Sequence, residues 1–112
     1  MLKCSVTLHF LDEKQVHELL TMEDCIRVMR DLFMIDPEDI DNPLRRLMMM
    51  PDRRGLLGMM PAHIAPWGVM GIKVLTVFPK NYLKGLSSHM GIVHLFDDKD
   101  GRLLLSLDAD AV

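Results

Sequence analysis

The stretch GIKVLTVFP, Gly71 to Pro79, reads as a buried β-strand, because Ile72, Val74, Leu75, Val77 and Phe78 are large apolar residues and Pro79 ends the run. Lys73 interrupts it. The ordinary explanation is a strand at a sheet edge, or a lysine whose methylene stem lies on apolar surface while its ammonium reaches water. The alternative is a pocket in which Lys73 holds an anion or has its charge state altered by desolvation.

Outward from this stretch, the chain changes character at Pro43. Beyond it, residues 44–50, 56–60, 69–78, 91–96 and 103–107 are short apolar runs separated by Pro, Gly, Asp and Asn. In FDDKDGRLLL, Asp100-Gly101 supplies the positive φ of a hairpin turn between two such runs. Before Pro43 the pattern is helical. A short strand over 6–11 leads into LDEKQVHELL, with Asp12 as N-cap and Gln15 three residues on. In TMEDCIRVMRDLF, Thr21 and Asp24 repeat that spacing, and Ile26, Met29, Leu32 and Phe33 recur on one helical face. IDPEDIDNP, with two prolines and four acids, reads as a solvated connection. The expected fold class is α+β, with two N-terminal helices packed on one face of a mostly antiparallel sheet of about five or six strands.

At 112 residues the chain has the size of one domain, and 49% hydrophobic residues suffice for a single core. A net charge of −3 disfavours nucleic acid as a partner. No apolar run is long enough to cross a membrane as a helix. Cys4 and Cys25 form no CxxC motif, and the N-terminus meets a charge cluster before any signal-like apolar core develops, so a reduced, cytoplasmic setting is expected. The eleven methionines suit adaptable packing.

Most chemistries fail on spacing. His9, His17, His63, His89 and His94 form no metal-ligand pattern, so no metal is expected. Asp98, Asp100 and Gly101 resemble part of a calcium loop but lack its closing acid. Ser87, Ser88 and His89 are sequence neighbours, which on an extended chain point to opposite faces and make a triad improbable. The glycines match neither GxGxxG nor a phosphate-binding loop. Basic groups on or beside apolar strands remain. Arg45 or Arg46 could grip a carboxylate in bidentate fashion while Lys73 adds a point charge. The plainer alternative makes both arginines surface residues of an edge strand.

LRRLMMMPDRRGLLGMMPAHIAPWGVMGIKVLTVFPKN and GLSSHMGIVHLFDDKDGRLLLSLDADAV together resemble the ornithine cyclodeaminase/mu-crystallin family. The likeness rests on an arginine ahead of an apolar strand, MPA at Met60 to Ala62, the KVLTVFP strand, and SSH leading into GIVHLFD and DGRLLLSLD. FLDEKQVHELLTMEDCIRVM fits more loosely. Family members pair a substrate-binding and dimerisation domain with a Rossmann domain, and residues 1–112 resemble the amino-terminal part of the first. SLDADAV ends on an apolar residue with no polar tail, as though the next element followed directly.

The resemblance implies that Arg45 and Lys73 meet a substrate carboxylate, with Met60 lining the pocket and Arg46 as the fallback if the register slips. Lys73 would also assist proton transfers at the reacting carbon, as a catalytic group. Ser88 and His89 fall where members contact the nicotinamide of NAD or NADP. Thr76 and Asn81 are less secure, because the loop over 80–87 needs a one-residue gap against other members. The implied ligand is a small amino acid or cyclic imino acid, and the implied assembly is a homodimer through the sheet. In complete members L-ornithine gives L-proline plus ammonia, or a related ketimine is reduced. The alternative is a non-catalytic binding or dimerisation module.

Overall fold

The computed structural model describes residues 7–110. Its sheet consists of β1 (Phe10–Leu11), β2 (Ile40–Asp41), β3 (Arg46–Met49), β4 (Leu56–Ile64), β5 (Val69–Val77), β6 (His89–Asp97) and β7 (Leu103–Asp108). The spatial order is β1-β7-β6-β5-β4-β2, and β3 pairs with β4 beside β2. Every pairing is antiparallel except β1 with β7. The α+β expectation holds. Strand β1 falls within the expected strand over 6–11, and the additional strand is the two-residue β2, inside the acidic segment that reads as a plain connection in sequence.

Lys73 is not on an edge. Strand β5 is paired along its whole length with β4 on one side and β6 on the other. The edge-strand explanation therefore fails for Lys73, whereas it fits the arginines, since β3 pairs only with β4.

Helix α1 (Glu13–Leu19) starts as its local chemistry dictates. The Asp12 side chain accepts from the Gln15 N–H at 2.9 Å while the Gln15 side chain accepts from the Asp12 N–H at 3.0 Å. This helix packs on β7 and β1 and buries Val16. Helix α2 (Met22–Phe33) is capped by Thr21, whose hydroxyl accepts from the Asp24 N–H at 3.2 Å. Contrary to the expectation of two packed helices, α2 buries none of its residues: Ile26 and Met29 are half exposed and Phe33 is 80% exposed. Its C-terminal end shares a cavity of about 470 Å³ with Ile40, Ala62 and Ile64. Amphipathicity has defined a face for this helix that the described residues cover only in part, chiefly at Leu32.

Turns fix the register. Gly101, at φ 76°, and the bond from its N–H to the Asp97 carbonyl close the β6–β7 hairpin, as Asp-Gly predicts. The β3–β4 hairpin turns through Pro51–Arg53, where Asp52 and Arg53 both take positive φ, near 60° and 53°. Gly91 lies so close to β5 that a Cβ there would stand 2.6 Å from the Val74 carbonyl oxygen. Cys25 is a free thiol, and Cys4 lies outside the described residues. Among the described residues, no helix is long and apolar enough to span a membrane and no three metal-ligating side chains cluster.

Candidate functional site

Side chains alternate between the two faces of a strand, and directly opposed residues share a face. Met60 on β4 is the cross-strand partner of Lys73 on β5, which in turn faces Val93 on β6 and, through it, Leu107 on β7. On the edge strand, Arg46 opposes Met59. Extending that register by one residue brings Arg45 level with Met60. Met60 and Lys73 therefore share one face while Arg46 turns to the other, and continuing the same alternation one residue past β3 would set Arg45 in line with Met60 and Lys73.

Arg45 and Lys73 stand two strands apart, roughly 10 Å between backbones, with the thioether of Met60 between them. Both side chains are long enough to converge above it. Lys73 and Met60 are half-buried and Arg45 is exposed. Among the described residues neither cation is paired with a carboxylate. Two positive groups without a protein counter-ion, beside apolar side chains, form a surface that favours an anion carrying a small apolar body.

His89 belongs to the same face. It opposes Val77, four residues along β5 from Lys73, which is roughly 13 Å at strand spacing. Ser88 lies just outside β6, and this frees its hydroxyl to meet His89 Nδ1 at 3.1 Å. The expectation that neighbouring side chains here must diverge therefore fails at Ser88–His89, although no carboxylate bonds to the ring and a triad is not formed. The Ser87 hydroxyl donates instead to the His89 carbonyl at 2.6 Å. Two less secure positions are not brought to the row. Thr76 opposes Leu57 and Met90 on the other face, and Asn81 is buried in its loop, donating its side-chain amide to the Ser87 carbonyl at 2.9 Å.

The opposite face holds pairs that sequence spacing does not reveal. His63 Nε2 lies 3.0 Å from Asp98 Oδ2, joining the end of β4 to the β6–β7 turn, 35 positions away. His94 Nδ1 lies 2.6 Å from the hydroxyl of Ser106, its cross-strand partner. The apolar alternation around His94 was the only local signal that it faces a sheet surface. A cavity of about 490 Å³ on that face is lined by Pro61, Met70, Ile72 and Phe96, with His63 and Asp41. It contains neither Arg45 nor Lys73, so it is separate from the cationic row.

Known proteins share this fold. The profile of the Ornithine cyclodeaminase/mu-crystallin family matches residues 7–112. The rat protein named ketimine reductase mu-crystallin is 31% identical over 70 residues, covering 62% of this chain and 22% of that protein. An archaeal alanine dehydrogenase dimer with bound NAD superposes with a TM-score of 0.83 at 25% identity, over 91% of this chain and 31% of that one. The Thermococcus litoralis Δ1-pyrroline-2-carboxylate reductase, in complex with NADH and L-proline, gives 0.78 at 24% identity, over 90% and 32%. The chain thus spans less than a third of the curated relative's length. With the profile running from the first described strand to the last, the chain belongs to the ornithine cyclodeaminase/mu-crystallin family.

Proposed function

We propose that this chain supplies the substrate-binding surface of an NAD(P)-dependent enzyme of the cyclodeaminase or ketimine reductase type, acting on a small amino or cyclic imino acid. Conversion of L-ornithine to L-proline plus ammonia is the specific form of this reading. The observation that carries it is the pairing of Met60 with Lys73 on a central strand bonded on both sides, beside which Arg45 would bring a second cation.

In this reading the substrate carboxylate enters between the guanidinium and the ammonium. It gives up hydration in exchange for charge-assisted hydrogen bonds, while Met60 excludes water beneath it. The carboxylate is thereby fixed on one side of the reacting carbon. Lys73, adjacent to that carbon, delivers a proton to the imine nitrogen or takes one from the water that attacks the imine carbon. Ser88 and His89 present a hydroxyl and a ring nitrogen at the far end of the same face, a donor set suited to a carboxamide. Residues 7–110 offer no glycine fingerprint for a pyrophosphate, so these residues fit only the nicotinamide end of a dinucleotide. That group, when bound, supplies hydride acceptance or donation at the substrate carbon.

Support for the ligand class comes from the pyrroline-carboxylate reductase, whose structure contains L-proline. Residues 1–112 are read as part of a substrate-binding and dimerisation domain in a cytoplasmic homodimer that pairs through the sheet. The test is a thermal-shift screen of the full-length protein against ornithine, alanine and cyclic imino acids, each with NAD⁺, NADH, NADP⁺ or NADPH. A ligand at a hundredfold over its Kd adds about 2.7 kcal/mol of stability. No shift with any of these acids in the presence of either cofactor pair refutes the reading.

A further inference from the structure

On the face that carries Lys73, the next row toward His89 runs Leu47, Gly58, Leu75 and Gly91, directly opposed from β3 to β6. It lies two residues along the strands from Lys73, roughly 7 Å, and the same distance separates it from the level of His89. In the reading above it therefore underlies the reacting carbon, between the carboxylate and the nicotinamide. Two of its four positions carry no side chain. A Cβ at Gly58 would stand 3.3 Å from Leu47 Cδ2 and 3.5 Å from Leu75 Cδ1, so both leucines lean over the bare backbone of β4, one from each side. Behind Leu75, β6 comes so close that a Cβ at Gly91 would stand 2.9 Å from Leu75 Cβ. Gly58 is buried, Leu75 half-buried and Leu47 56% exposed. The row thus forms a slot with a backbone floor and two aliphatic walls, next to Met60 on the same strand.

We propose that Leu47 and Leu75 set the size of the substrate's carbon skeleton, and that the slot over Gly58 takes a compact apolar one: a short aliphatic chain or a five-membered ring in preference to the homologue one methylene larger. The inference rests on the function proposed above and specifies which acids of that class fit. Each methylene that the walls cover adds favourable apolar contact. A slot already narrowed by methyl groups rejects the next methylene, because two leucines and a substrate carbon would have to share one space. Leu75 cannot retreat from such a clash, since the backbone of β6 stands behind it. Leu47, on the outer strand, is the wall that yields. Discrimination of this kind acts on the ratio between two substrates and leaves capture of their common carboxylate to Lys73 and Arg45. One methylene in an apolar pocket is worth about 10–200-fold in kcat/KM.

Steady-state kinetics of the full-length protein on pairs of acids that differ by one methylene tests this. The pairs are the five- and six-membered cyclic imine 2-carboxylates, reduced with NADH or NADPH, and alanine with 2-aminobutyrate and ornithine with lysine, oxidised with NAD⁺ or NADP⁺. The readout is the ratio of kcat/KM for the larger ring to that for the smaller, or for the longer chain to the shorter. The wild type is expected to favour the smaller member of the pair it turns over by about tenfold or more. Leu75→Ala is expected to raise the ratio by about tenfold or more, and Leu47→Ala by about threefold or more. Circular dichroism checks the fold of each variant. Leu47 is exposed, so its truncation keeps the test decisive even where Leu75→Ala does not fold. Met48→Ala, the next position on β3 and turned to the other face, is expected to leave the ratio unchanged. A wild type that favours the larger member overturns the proposal, as does an unchanged ratio in Leu47→Ala or an equal shift in Met48→Ala. A wild type that turns over no member of any pair defeats the functional reading and this inference with it, whereas turnover with ratios indifferent to both leucines defeats only the slot.

Discussion

Met60 and Lys73 are direct cross-strand partners, and the register that joins them sets Arg46 with Met59 on the opposite face. In the proposed reading Arg45 serves the ligand row, and Arg46 takes the other surface with Met59.

This separation gives a sharp kinetic expectation for the full-length enzyme. Replacing Lys73 or Arg45 by Met is expected to raise KM for the amino or imino acid at least tenfold, about 1.4 kcal/mol of lost binding. Arg46→Met is expected to leave KM within about twofold at protein concentrations that keep the dimer intact. Steady-state kinetics on the three variants checks both statements, and equal effects at 45 and 46 remove the register argument.

Gly91 is the tightest point between β5 and β6. Gly91→Ala forces a methyl group to within 2.6 Å of the Val74 carbonyl oxygen, a backbone atom that cannot rotate away. The expected loss is about 1–3 kcal/mol in chemical denaturation, the usual range for overpacking. Retained stability would mean that the strands separate at this point.

Helix α1 depends on a reciprocal cap. Asp12→Ala removes the acceptor for the Gln15 N–H, with an expected cost of about 1 kcal/mol, while Asp12→Asn is expected to be nearly neutral. Denaturation midpoints of the two variants separate capping from general disturbance of the loop.

Asp100 gives the β6–β7 turn a dependence on pH. Its carboxylate accepts from the Arg102 N–H at 3.0 Å and lies 3.0 Å from Arg102 Nε, and these contacts, the backbone bond foremost, hold its pKa below the ordinary 3.8. A lowered folded-state pKa stabilises above the unfolded value and ceases to do so as pH falls through the folded one. The wild type is therefore expected to exceed Asp100→Asn in stability at neutral pH, with the difference vanishing in acid below the ordinary carboxylate range. The exposed position keeps this effect small. Paired denaturation curves at pH 7 and pH 3 check it, and a difference that grows in acid reverses the assignment.

Local chemistry was legible in the sequence. Asp12 with Gln15, Thr21 with Asp24, and Asp100-Gly101 each act within a few residues and appear in the structure as spacing dictates. Pairing across long separations was not. For Lys73 the sequence leaves an edge strand open beside a snorkelling stem and an anion pocket, and the edge falls away only when β4 and β6 are seen on both sides. The β3–β4 register passes through Asp52 and Arg53 in left-handed conformations, which no glycine announces. The His63–Asp98 pair joins positions whose proximity exists only after β4, β5 and β6 are in place. For α2, periodicity states which side chains seek cover and is silent on what provides it.

The two-residue repeat of β4 and β5 makes strand length the most sensitive property of this sheet. A substitution within 56–64 or 69–77 alters a single position, but removal of one residue exchanges everything beyond it between the two surfaces. Lys73 would then leave the surface it shares with Met60 for that of Arg46, and the candidate ligand row would be lost. Such a protein could drift widely in composition along these strands while tolerating no change in their count.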